Sequence, residues 1–266
     1  METENVEKEN MTLKIVSWNC ITGKNVFHDK LRRIVKEMEA DAYIISECPD
    51  PETDEVKKLL NSLGLKTGGW DGDKDSGVGI FIKLEHPSVK KIWRKGNGGH
   101  YASCSLYGKL NLLGIWIRDK NENYAQLFLN DLENNGENLD RSYVIAGDFN
   151  IDLNIYQKEY TQKIYELLES KGLVSAYHNT PINKEPVPYG LEEKKTYYKS
   201  GGTEIIAKKI ESSHIDYIFV SKDRIKSFEL GRPEDWIIRD RNTEKVPRNP
   251  DRDRSNHLPL IIEIKL

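Results

Sequence analysis

The pattern that most restricts the fold comes early, where a strand-like run, an amphipathic helix and a second strand-like run follow one another. Residues 13–18 (Leu-Lys-Ile-Val-Ser-Trp) read as a strand. After a turn at Gly23, Phe27, Leu31, Ile34, Val35 and Met38 recur at helical spacing and give one apolar face as far as Glu39. Residues 42–46 are again short and apolar and end at Glu47. Strand, helix and strand form a unit that brings Asn19 and Glu47 to the same edge of a sheet.

The second half repeats this logic. Residues 143–146 form a buried strand leading into a turn with Asp148 and Asn150, and Tyr156, Tyr160, Ile164, Leu167 and Leu168 make a helical stripe stopped at Gly172. Residues 59–63 close another helix near Gly64. Strands are predicted over 78–84 and 110–117, the latter paired with 101–107 as a hairpin around Gly108-Lys109, and the last strands over 215–220 and 258–264. Residues 177–202 and 231–254 are rich in Pro, Gly and charge and read as long surface loops. Periodicity alone therefore gives mixed α/β. The 266 residues suffice for one large domain with a sizeable core, assigned to residues 11–266 behind a disordered acidic tail at 1–10.

Bulk properties exclude several classes. Hydrophobic residues make up 37% and charged residues 31%, as in a globular protein with a heavily charged surface. A net charge of −3 leaves no general basic surface for nucleic acid, so contact with phosphates must be local. No apolar run approaches the roughly 20 residues that cross a bilayer, and the start carries no basic and apolar leader pattern, so neither a membrane segment nor a secretory signal is expected. Cys20, Cys48 and Cys104 are odd in number and lack paired spacing, which reads as reduced, buried thiols in a cytoplasm.

Chemistry concentrates in five segments at strand ends: Trp18-Asn19, Glu47, Gly147-Asp148-Phe149-Asn150, His214-Ile215-Asp216-Tyr217 and Ser255-Asn256-His257. Together they supply carboxylates, amides and an imidazole, the groups that hold a hard divalent cation, orient a phosphate and activate water. Each has a plainer reading on its own. Asn19 and Gly-Asp-Phe-Asn are turn-formers, Glu47 could be a solvated charge, and a lone histidine before a strand is more often structural. In this order and spacing, from Asn19 to His257, the segments resemble the endonuclease/exonuclease/phosphatase superfamily with its deoxyribonuclease I-like fold.

That resemblance implies a four-layered α/β sandwich, two facing mixed β-sheets flanked by helices, with a site in the cleft at one end. It implies Glu47 as principal ligand of Mg²⁺, with Mn²⁺ as substitute, and Asn19 binding the metal or holding Glu47. Asp148 would position or deprotonate the attacking water, and Asn150 would donate hydrogen bonds to the phosphate. Asp216 would hydrogen-bond His257, so that the imidazole meets the phosphate charged. His214 is read as structural, on the side of its strand opposite Asp216. The implied activity is Mg²⁺-dependent phosphodiester hydrolysis, with DNA or RNA as the foremost substrate and no obligate protein partner evident. A smaller phosphoester (nucleotide, inositol phosphate or lipid headgroup) is the competing substrate.

The sequence departs from the family pattern in two places. Asn256 stands where the family usually has Asp. It keeps an acceptor oxygen that can reach the metal but loses the charge, so the chain is either a tolerant active homologue or a weakened form that only binds. Trp116 occupies the region where many relatives carry Asn-Xaa-His, and Arg118, two residues on, is either a phosphate contact or a solvated strand end. Thr196-Tyr197-Tyr198 resembles a family segment of the cleft wall. Lys194, Lys195 and Lys199, and the run Arg239, Arg241, Lys245, Arg248, Arg252 and Arg254, could form a local basic rim. Asp240, Glu244, Asp251 and Asp253 interleave with that run, so a mixed-charge loop fits it equally. Asp71-Gly72-Asp73-Lys74-Asp75 begins like a calcium loop but has Ile82 where the twelfth ligand belongs, and reads as an acidic turn. Gly96-Asn97-Gly98-Gly99 lacks the Lys-Ser/Thr of a phosphate-binding loop.

Overall fold

A computed structural model describes residues 11–21, 26–73, 75–86, 93, 99–118, 123–152, 158–180, 195–198, 212–237 and 255–266. The tail at 1–10, Tyr156, Lys194, Lys199, residues 96–98 and the basic run from Arg239 to Arg254 lie outside the described residues. The strands are β1 (Thr12–Asn19), β2 (Ala42–Cys48), β3 (Leu65–Asp73), β4 (Ser76–Lys83), β5 (Gly99–Leu106), β6 (Leu110–Ile117), β7 (Tyr143–Asp148), β8 (Val174–Ser175), β9 (Tyr197–Tyr198), β10 (Ser212–Ser213), β11 (Asp216–Val220), β12 (Ile225–Leu230) and β13 (Leu260–Lys265). The helices are α1 (Phe27–Met38), α2 (Asp54–Ser62), α3 (Tyr124–Asn135), α4 (Lys158–Ser170) and the single turns α5 (Ala176–Asn179) and α6 (Pro233–Trp236).

Two sheets of order β12-β13-β1-β2-β4-β3 and β5-β6-β7-β11-β8 carry the fold, with a small β10-β9 ribbon beside them. Strand alternation sorts the apolar residues into layers. Leu13 and Ile15 of β1, Ile44 of β2, Leu112 of β6, Val144 and Ala146 of β7 and Ile218 of β11 share the core between the sheets. Val16, Trp18, Tyr43 and Ile45 face the other way and pack under α1 and α2 through Phe27, Leu31, Ile34, Leu59 and Leu60. Leu113, Ile115, Ile145 and Phe219 do the same under α3 and α4 through Phe128, Leu132, Ile164 and Leu168. The result is the expected helix–sheet–sheet–helix sandwich.

Parallel pairing directs the site. β1 and β2 run parallel with α1 between them, and β6 and β7 run parallel with α3 between them. Both units therefore deliver their strand ends, Asn19 with Glu47 and Trp116 with Asp148, to the cleft end of the sandwich. An amide hydrogen bond from Asn19 Nδ2 to Asp148 Oδ2 (2.8 Å) ties the two sheets together there.

Several elements differ from the sequence reading. β3, β12 and α3 were not expected. β3 carries Gly68 and Gly69 in place of β-branched residues, because β5 lies almost on top of it. A Cβ at Gly69 would stand 2.8 Å from the Ser103 carbonyl oxygen. Asp71, Gly72 and Asp73, read as the start of an acidic turn, are instead the last residues of β3 and pair with Val78, Gly77 and Ser76 of β4. Two stretches read as surface loops contain core anchors. Ala176, Tyr177 and His178 of α5 are buried, and so are Trp236 and Ile237 at the end of α6. Trp236 meets Trp18 edge-on with ring centroids 5.3 Å apart. One helical turn gives no periodic signal, so a Pro- and charge-rich flank hides it.

Gly147 has a requirement that only glycine meets. Its φ is 147°, and an added Cβ would lie 1.9 Å from the Ile115 carbonyl oxygen of the neighbouring strand. Gly147→Ala should cost at least about 3 kcal/mol through backbone strain and displacement of β6, which lowers Tm by roughly 6–12 °C in a domain of this size. A thermal melt that matched the parent's would contradict this.

Candidate active site

Three site residues occupy backbone conformations that side-chain-bearing residues seldom adopt: Ile21 (φ 40°), Glu47 (φ 57°) and Asn150 (φ 51°). Such strain clusters where a structure must aim particular groups. Glu47 is the extra residue at a bulge, since the β2–β4 register shifts between Ser46 and Cys48, and bulges re-aim side chains at strand ends. Its carboxylate Oε1 accepts a hydrogen bond from Asn19 Nδ2 at 3.1 Å.

Asn19 is thus the hinge of the site. Its Nδ2 serves both Glu47 and Asp148, and its Oδ1 accepts from the Ile21 amide at 3.0 Å. Lys30, buried on α1, donates its ammonium to the carbonyls of Cys20 and of Ile21 (2.6 Å for the latter) and so holds the turn behind Asn19. Sequence reasoning missed Lys30, because a lysine one place from an apolar stripe ordinarily points to solvent.

Asp148 ends β7 and is buried. Its Oδ1 accepts from the Asn150 amide (2.9 Å), and its Oδ2 accepts from Asn19 Nδ2 and from Asn150 Nδ2 (3.3 Å). Asn150 Nδ2 also donates to the Ile117 carbonyl at 2.8 Å. Burial and the Asp216 carboxylate, directly opposite on β11, push the Asp148 carboxyl up to about 7, against the pull of His257, Asn19 and Asn150.

His257 completes the group. Its Nδ1 lies 2.9 Å from Asp216 Oδ2 and 3.1 Å from Oδ1, so Nδ1–H donates to that carboxylate. Burial alone would lower the imidazole pKa. Asp216, through charge and hydrogen bond, with Asp148 and Glu47 beyond it, raises it to about 9. The segment around His257 is fixed from several sides. Ser255 Oγ donates to the Asn19 carbonyl (2.7 Å), Trp18 Nε1 donates to the His257 carbonyl (2.9 Å), and the Tyr197 ring packs 4.9 Å from the imidazole. Thr196 Oγ1 accepts from the amides of Ile215 and Asp216 (3.0 and 3.1 Å), which makes the Thr196-Tyr197-Tyr198 segment a support of the cleft wall.

Asn256 is almost enclosed, and its Oδ1 has no hydrogen-bond partner among the described residues. An orphaned buried acceptor next in the chain to His257 suits a cation, because water-free burial of an unpaired carbonyl oxygen is costly. His214 does not stand opposite Asp216 on a shared strand. Residues two apart on a strand share a face, but β11 begins only at Asp216. The His214 ring instead packs among Tyr177 (4.6 Å) and Tyr217 (4.9 Å). Trp116 pairs with Asp148 in register, and the Arg118 guanidinium lies 5.3 Å above the Trp116 ring. All three cysteines are buried free thiols, and burial pushes Cys20 and Cys104 up to about 12. Their burial accords with the packing role that their sequence setting implied.

The sequence model of the Endonuclease/Exonuclease/phosphatase family matches residues 16–239, which span β1 to the end of α6. The chain belongs to this family. Members of the Endonuclease/Exonuclease/phosphatase family are phosphoester hydrolases that depend on divalent metal, in accord with the acidic cleft. No curated protein sequence matches the chain. Among solved structures, an AP endonuclease from Archaeoglobus fulgidus is similar at 15% identity with a TM-score of 0.65, over 94% of this chain and 98% of that one. The truncated TDP2 of Caenorhabditis elegans is similar at 14% identity and TM-score 0.61, over 96% and 98%. The 3′ phosphatase NExo from Neisseria, bound to product DNA hairpin, is similar at 16% identity and TM-score 0.60, over 96% and 100%. At these identities the likeness speaks for the fold.

Proposed function

We propose that this chain is a Mg²⁺-dependent phosphodiesterase acting on nucleic acid, DNA or RNA. The observation that carries the reading is the convergence of Asp148, Asp216 and His257, whose ligand-capable atoms lie within 4.8 Å of one another, with Asn19 joining Asp148 to Glu47. That trio could itself be taken for a metal site. An imidazole held protonated has no lone pair for a metal, however, and its Nδ1–H is committed to Asp216. The trio is acid–base machinery, and the cation belongs with Glu47, Asn19 and the free Oδ1 of Asn256. Bound there, Mg²⁺ supplies Lewis-acid neutralisation of the phosphate oxygens.

The protein groups account for the remaining work. Asp148 orients water and takes its proton, and Asn19 and Asn150 hold the carboxylate in place. His257 meets the phosphate as imidazolium and stabilises charge as it develops on the oxygens. Asn150 Nδ2 directs one hydrogen to the Ile117 carbonyl and the other, over the longer 3.3 Å, to Asp148, and it reaches the phosphate by giving up that longer contact. Three buried unpaired cysteines suit a cytoplasmic setting. No helix among the described residues is long and apolar enough to cross a membrane.

A second reading, removal of a terminal phosphate from a nucleic acid, draws support from the similarity to a 3′ phosphatase bound to a DNA hairpin. Initial rates on single- and double-stranded DNA, RNA and a 3′-phosphorylated oligonucleotide, each with Mg²⁺ and with chelator, separate the readings. Release of inorganic phosphate alone would favour the second.

Asn256→Asp tests the departure from the family pattern. A carboxylate there strengthens metal binding and the field that keeps His257 protonated, so the rate should rise about ten-fold or more, about 1.4 kcal/mol of barrier. Equal rates of the two forms at saturating Mg²⁺ would show the asparagine to be benign.

A further inference from the structure

The inner face of the second sheet carries a row that extends beyond the site just described. His100 of β5 pairs with Trp116 of β6, Trp116 with Asp148 of β7, and Asp148 with Asp216 of β11. Directly paired residues point to the same face, and Ala102, Cys104 and Leu106, alternate residues after His100, lie in the core between the sheets. The row therefore faces the space between the sheets at the level of Asp148. His257 stands at one end and His100 at the other, about 10 Å from Asp148 between Cα atoms given two inter-strand steps.

His100 has the surroundings of a working imidazole more than of a packing one. Its Nδ1 is enclosed, 3.7 Å from Asp71 Oδ2, with no hydrogen-bond partner among the described residues. Its Nε2 lies 3.7 Å from Oδ2 of Asp73, an exposed carboxylate. Both separations exceed hydrogen-bond range. Trp116 packs against the ring at 5.5 Å and fixes its plane, and the Arg118 guanidinium also lies over the Trp116 ring.

Resting on the phosphodiesterase reading, we infer that His100 is the proton donor to the leaving oxygen. In-line displacement puts the leaving oxygen on the side of phosphorus opposite the attacking water. With Asp148 and His257 on the attacking side, His100 is the proton-carrying member of the row on the far side. The new P–O bond forms from water, whose proton passes to Asp148. The P–O bond to the leaving alcohol breaks with its electron pair on oxygen, and that oxygen takes the Nε2 proton of His100. The neutral imidazole then regains a proton from bulk water. Asp71 and Asp73 position the ring.

The test compares two leaving groups on His100→Gln, with Mg²⁺ present throughout. A dinucleoside monophosphate expels an alkoxide that needs a proton, whereas the p-nitrophenyl ester of a nucleoside 5′-phosphate expels a phenolate that does not. His100→Gln should lose about a hundred-fold or more in kcat on the dinucleotide and less than about three-fold on the nitrophenyl ester. Equal losses on both substrates would reduce His100 to a structural role, and no loss on either would remove it from the site. Both outcomes overturn this inference and leave the phosphodiesterase reading standing. A parent protein inactive on both esters would overturn the reading itself and the inference with it.

Discussion

Glu47→Ala should lose about a thousand-fold or more of the Mg²⁺-dependent rate, about 4 kcal/mol of barrier, and still fold. Glu47 is half-buried at a bulge, outside the three apolar clusters. Its removal takes away a charge at the cleft and leaves the core untouched. Alanine tolerates the φ of 57° no worse than glutamate does. Asn19 keeps Asp148 as its partner, so the two sheets remain tied. Initial rates across a Mg²⁺ titration, beside a thermal melt of each form, give both halves of the expectation. Parent-like rates at any Mg²⁺ concentration would remove Glu47 from the metal site.

His257→Ala and Asp148→Asn should each lower kcat by about a thousand-fold, with the double mutant close to the worse single one, since groups that act as a unit do not lose independently. The pH profile carries the sign of this account. Asp148 must be ionised and is raised to about 7, and His257 must be protonated and is raised to about 9. On a substrate whose leaving group needs no proton from His100, such as the nitrophenyl ester, activity should therefore climb as pH rises toward 7 and fall as it passes 9, with both limbs belonging to the coupled pair. A bound divalent cation favours the ionised carboxylate and moves the acid limb down. Asp216→Asn removes the largest force raising His257 and leaves burial to lower it, so the alkaline limb should shift toward neutral pH. An alkaline limb unmoved in Asp216→Asn would break the link between that carboxylate and the imidazole.

The residues of the site were legible in the sequence because its chemistry lies at the ends of apolar strands, where a polar group stands out. Glu47 after Tyr43-Ile44-Ile45 and Asp148 after Val144-Ile145-Ala146 are such places. The devices that aim them were not. The bulge at Glu47 and the close approach at Gly147 arise from register between strands, which local periodicity does not carry. Lys30 and Trp236 escaped for a related reason: each is an anchor whose partners, the Cys20–Ile21 turn and Trp18, are distant in sequence or hidden in irregular backbone. Alternation misplaced His214, since residues two apart on a strand share a face and β11 starts only at Asp216. His100 gave no local signal, since its place in the row depends on three successive strand pairings.

The most direct test of the account is the rate at which the parent protein cleaves internal phosphodiester bonds of an end-labelled oligonucleotide as Mg²⁺ is titrated from chelator to saturation. The account predicts no cleavage in chelator and a rate that rises with Mg²⁺ to a plateau, with Glu47→Ala flat throughout. Cleavage that persists in chelator, or an oligonucleotide left intact at saturating Mg²⁺, would contradict it.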